Sequence, residues 1–112
     1  MTRILRSTLP DGFFHITANS VHETVLFRTD ADRLLFLSLF TTAIRRQSIA
    51  IYSYCLMDTH YHAIVSGRTE DLSEALHAAH STYAREHNAV HDRIGALFRE
   101  RFASWAIRDE DH

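Results

Sequence analysis

Apolar positions along the chain follow two rhythms, one of period two and one of period three to four. After the turn signal Pro10-Asp11-Gly12, Phe13 to Ala18 reads as a short strand. Asn19 to Arg28 is polar and irregular, with Phe27 as its anchor into a core. Thr29 or Asp30 can cap a helix that runs to about Gln47. Asp32 lies in its acidic first turn and Arg45 and Arg46 in its last, both favourable for the helix dipole. Its centre, Leu34-Leu35-Phe36-Leu37-Ser38-Leu39-Phe40, is apolar nearly all round, which predicts cover on more than one side. Ile49 to Met57 is β-branched and aromatic and reads as a strand. Asp58-Thr59 makes a turn, and His60 to Ser66 reads as the antiparallel partner, closed by Gly67. Asp71 and Glu74 have the spacing of a capping box. From there Leu72, Leu76, Ala79, Tyr83 and Val90 recur at helical spacing, predicting a second helix to about Asn88. His91 to Gly95 reads as a loop and Phe102 to Ile107 as a fourth strand.

The order strand, helix, strand, strand, helix, strand predicts an α+β fold of ferredoxin-like (RRM-like) βαββαβ type. Its antiparallel sheet would carry both helices on one face. The expectation is one domain over residues 1–112, since the chain has no linker and no internal repeat. A hydrophobic content of 46% suffices for a core and argues against a disordered tail. The net charge of −2 gives no overall basic field to attract nucleic acid, so any basic surface must be local. Every basic residue is arginine, a choice that suits bidentate contacts to phosphate but equally reflects coding bias. The single cysteine, Cys55, excludes an internal disulfide framework and makes a reducing, cytoplasmic setting the default. No apolar run approaches the roughly 20 residues of a membrane span, and Met1 to Pro10 is too polar for a signal peptide.

The densest polar chemistry within an apolar stretch is Tyr54-Cys55-Leu56-Met57-Asp58-Thr59-His60-Tyr61-His62. On a strand His60 and His62 share a face, roughly 7 Å apart along the chain, while Tyr61 points the other way into the core. Two such imidazoles are half of a metal site, or equally the polar side of a half-buried strand. His77, His80, His87 and His91 pair at helical spacing, but no cysteine or paired carboxylate completes a ligand set. A solvated helix face is expected there, with a metal-binding helix as the weaker alternative. Tyr83 falls on the apolar stripe and reads as core. Cys55 reads as a small buried hydrophobe rather than a nucleophile. Arg93, Arg99 and Arg101, interleaved with Leu97, Phe98, Phe102 and Trp105, suit either an amphipathic segment or nucleic acid, with charge for phosphates and rings for bases.

These residues follow one another in a recognisable order. Phe14-His15-Ile16-Thr17 comes first, then Phe27, Asp30, Asp32 and Arg33, then Tyr54-Cys55-Leu56-Met57 leading into His60-Tyr61-His62. Tyr83, Arg85 and Asn88 follow, and then Gly95, Leu97, Phe98, Arg101 and Phe102. From about residue 12 onward the chain resembles the REP-associated tyrosine transposases, a branch of the single-tyrosine HUH transposases of small bacterial insertion sequences.

The resemblance implies an enzyme family that cleaves and transfers single-stranded or hairpin DNA. It implies that His60 and His62 hold a divalent metal, Mg²⁺ or Mn²⁺, that Arg85, Arg99 and Arg101 contact DNA, and that the partner set includes a second copy of the chain. In that family a tyrosine hydroxyl attacks the polarised phosphate and leaves a 5′-phosphotyrosine. Three departures stand out. Thr59 replaces the usual asparagine before the first histidine, and Asp58 the usual proline before that, where it caps the hairpin. The negative net charge is the second departure. The third is that Arg108-Asp109-Glu110-Asp111-His112 reads only as the first turn of the helix that would carry the nucleophile. The expectation is therefore a chain truncated before its catalytic tyrosine, with Tyr83 as a remote substitute. A non-catalytic module binding hairpin DNA or transposase is the alternative function.

Overall fold

The computed structural model describes residues 12–99 and 102–107. Four strands, β1 (Phe13–Asn19), β2 (Ala50–Leu56), β3 (His60–Ser66) and β4 (Ala103–Ile107), form one sheet in the order β2-β3-β1-β4. Every neighbouring pair is antiparallel. Two helices, α1 (Asp30–Arg46) and α2 (Thr69–Val90), pack against it, so the βαββαβ arrangement is the ferredoxin-like one. Among the described residues no helix is long and apolar enough to cross a membrane.

Period-two alternation sorts the two central strands. Phe14, Ile16 and Ala18 of β1 and Tyr61, Ala63 and Val65 of β3 face the helices and enter the core. The centre of that core is aromatic: the Phe36 ring lies 4.9 Å from Tyr61, 5.3 Å from Tyr83 and 5.4 Å from both Phe27 and Phe40. Phe27 anchors the irregular segment after β1 as expected, and its neighbour Leu26 is buried with it. Among the described residues no helix covers the other sheet face.

Thr29 is the cap of α1, its hydroxyl accepting the Asp32 N–H at 3.1 Å. The helix is covered on two sides only. Phe36, Phe40 and Ile44 are buried, and Leu35, Leu39 and Ala43 pack partly, while Leu34 stands 69% exposed. Helix α2 begins earlier than the Asp71/Glu74 spacing predicts. Gly67, at φ +156°, ends β3 and turns the chain directly into the helix. The first helical bond then runs from Leu72 N–H to Arg68 O (2.9 Å), with no side-chain cap. Glu70 and Asp71 fall in the first turn, where they complement the dipole.

Candidate metal centre on the open sheet face

The β2–β3 hairpin closes with Met57 N–H donating to His60 O at 2.8 Å, so β3 opens directly on His60. With Tyr61 fixed in the core, His60 and His62 both project from the open face, their ring centroids 4.9 Å apart and nearly perpendicular. The hairpin turn is held by backbone rather than by a capping carboxylate: the Asp58 carbonyl accepts Leu26 N–H at 2.7 Å, and its side chain is exposed.

Register then adds what the motif lacks. Thr17 of β1 stands opposite His62 and Asn19 opposite His60. Thr17 Oγ1 lies 3.0 Å and His15 Nε2 3.1 Å from His62 Nδ1. In the tautomer in which His62 donates its Nδ1 proton to Thr17, Nε2 keeps its lone pair for a cation. Burial, and then the neighbouring His60 and His15, hold His62 below the ordinary histidine range, so it is neutral at neutral pH. Trp105 of β4 lies tilted against His15 with ring centroids 5.4 Å apart and remains 54% exposed. Tyr52 covers Phe13 at 4.8 Å on the same face. The open face thus carries three imidazoles and the exposed rings of Trp105 and Tyr52.

This topology and helix arrangement recur in proteins of known structure. A REP-associated tyrosine transposase bound to a REP hairpin matches 99% of this chain with a TM-score of 0.73 at 17% identity. The chain has the fold of a tyrosine transposase. It spans 66% of that protein's length, just under two thirds. A protein from Deinococcus radiodurans R1 assigned as a transposase matches 98% of the chain, with a TM-score of 0.69 and 8% identity, over 89% of its own length. No family model and no curated protein sequence matches.

Within this transposase fold the other sequence-derived candidates scatter. Arg99 lies where the chain returns alongside β1, its N–H bonded to Asn19 O (2.9 Å) and its Nε–H to Ser20 O (3.4 Å), at the His60 end of the sheet. Arg85 is exposed on α2, behind the sheet, and does not join the histidine face. Arg101 and the segment 108–112 lie outside the described residues. Tyr83 is 0% exposed and donates its hydroxyl to Leu26 O at 2.5 Å; burial raises its pKa, and both effects oppose a role as nucleophile. Cys55, expected in the core, is exposed. A β-bulge between Ile51 and Ser53 shifts the register of edge strand β2 and sets Cys55 opposite His62, on the open face.

The solvated face expected for the helical histidines holds only for His77. His80 stacks on Phe98 (centroids 4.1 Å) and its Nε2 lies 2.6 Å from the Tyr61 hydroxyl. His87 is buried and His91 partly so, because the chain before α1 and the loop after α2 fold over them.

Proposed function

We propose that this chain is the metal- and DNA-binding domain of a single-tyrosine transposase acting on single-stranded or hairpin DNA. The observation that carries this is the pair His60 and His62, side by side on the sheet face opposite α1 and α2 and braced from β1. Two imidazole nitrogens without a carboxylate suit Mn²⁺ better than Mg²⁺, a hard ion that takes oxygen donors; phosphate oxygens of the DNA are the natural remaining ligands. When bound, the metal supplies Lewis-acid polarisation of a phosphate. The chain's own residues do the rest. Thr17 and His15 orient His62, Trp105 and Tyr52 offer ring faces on which bases stack, and Arg99, at the His60 end of the sheet, pairs with DNA phosphates.

In this reading the tyrosine that forms the 5′-phosphotyrosine is none of the four present. Tyr61 and Tyr83 are fully buried, the Tyr52 hydroxyl contacts Ser66 Oγ at 3.3 Å, and Tyr54 lies on the outer edge strand. The chain alone therefore binds hairpin DNA without cleaving it. A labelled hairpin titrated with Mn²⁺ at about 50 mM and about 200 mM salt should bind far more weakly at the higher salt. The double variant H60A/H62A should lose the Mn²⁺-dependent part. Absent or salt-independent binding overturns the DNA assignment. A covalent adduct on a denaturing gel, abolished by Tyr83→Phe, overturns the statement that the nucleophile lies elsewhere.

A further inference from the structure

On the helical side of the molecule, away from the open sheet face, the first turn of α1 meets the last turn of α2. Asp32 (5% exposed) and His87 (1% exposed) meet His91 there. Each side chain offers a ligand atom, and the three atoms lie within 4.8 Å of one another. The His87 and His91 rings are 4.6 Å apart, centroid to centroid. Asp32 Oδ2 accepts Arg28 N–H at 3.0 Å and lies 2.8 Å from His91 Nε2. His87 Nε2 lies 3.2 Å from Val25 O, so it carries the proton and donates it there. That leaves His87 Nδ1 buried with a lone pair and no hydrogen-bond partner among the described residues. A buried imidazole nitrogen without a partner is costly, and proteins rarely keep one without a use for it.

We propose that Asp32, His87 and His91 form a zinc site that pins the start of α1 to the end of α2. Two imidazole nitrogens and one carboxylate oxygen are a donor set that Zn²⁺ accepts. The Val25 carbonyl on the far nitrogen of His87 is the outer partner that fixes the tautomer of a metal-bound histidine. His91 joins by carrying its proton on Nδ1 and presenting Nε2. The present 2.8 Å contact between His91 and Asp32 then opens to about 3.3 Å, the edge of a tetrahedron with zinc bonds of about 2.0–2.1 Å. The His91 side chain is 13% exposed, which gives the ion a way in and leaves the fourth position to water.

Because His60 and His62 also attract zinc, the test uses the full chain carrying H60A/H62A, free of any histidine tag and stripped with chelator. Zinc titration should fill a single site and raise the melting temperature, and Co²⁺ should give the visible absorption of a four-coordinate ion. His87→Phe fills the same space without a donor, and His91→Gln keeps a hydrogen bond to Asp32. Each, checked for a native far-ultraviolet spectrum, should weaken zinc binding at least about a hundredfold, beyond the effect of losing an outer partner. Failure of the parent to bind zinc overturns the proposal. So does unchanged affinity in either folded variant. Neither outcome bears on DNA binding at the sheet, which is read separately.

Discussion

Acid should loosen this fold through His80. Its ring lies against Phe98, and its Nε2 is the partner of the Tyr61 hydroxyl, which is buried and needs an acceptor. Burial, and secondarily the charge of His77, hold His80 down to about 4, against 6.5 for a free histidine. A group whose folded pKa is depressed in this direction is neutral in the native state. Its contribution is complete above about pH 6.5 and is lost as the pH falls toward 4, because the unfolded chain takes up the proton first. At about 1.4 kcal/mol per pH unit the full loss is about 3 kcal/mol, and between about pH 7 and about pH 5 it is about 2 kcal/mol. His87 and His62 are depressed as well and lose stability in the same direction, so the wild type alone cannot apportion the effect. Asp32, lowered below 3.8, acts only at more acid pH. The informative perturbation is His80→Gln, whose amide oxygen can accept from Tyr61 but does not titrate. Urea unfolding at the two pH values, with chelator present, should show the variant losing about 2 kcal/mol less than the wild type over that interval. Equal losses in the two proteins would refute the assignment of the acid sensitivity to His80.

Three further outcomes follow from single contacts. Tyr83→Phe orphans the buried Leu26 carbonyl and should cost about 1–3 kcal/mol in urea unfolding; a loss under about 0.5 kcal/mol would mean that the carbonyl finds another donor. At Gly67→Ala the new Cβ would stand 2.9 Å from Ile49 Cγ1 at φ +156°, and thermal unfolding should report a destabilisation of about 1–3 kcal/mol; an unchanged melting temperature would show that the β3–α2 turn yields. Thr17→Val removes the hydroxyl from His62 Nδ1 while keeping shape, and calorimetry should find Mn²⁺ bound about 10–100-fold more weakly with stability little changed. Unchanged Mn²⁺ affinity would assign the orientation of His62 to His15 alone.

The elements were legible because each announces itself within a few residues. The period-two run from His60 to Ser66 sets both histidines on one face and Tyr61 on the other, and the stripe from Leu72 to Tyr83 names the buried side of α2. Thr29 as cap and Phe27 as anchor are equally local statements. Even the four-strand, two-helix order needs only the sequence of such segments.

What the chain does with them depended on contacts that no local pattern encodes. Thr17 and His15 reach His62 because of the β1–β3 register, across separations of 45 and 47 residues. Cys55 is exposed because β2 lies at a sheet edge and carries a bulge, a one-residue irregularity that alternation cannot foretell. The carboxylate that the helical histidines seemed to lack was present all along at Asp32, 59 residues before His91. Spacing along one helix reveals which donors share a face. Which donors arrive from another element is decided by how α1 and α2 pack, and that is settled by the burial of Phe36, Phe40 and Tyr83 in the core rather than by the spacing of the histidines along α2.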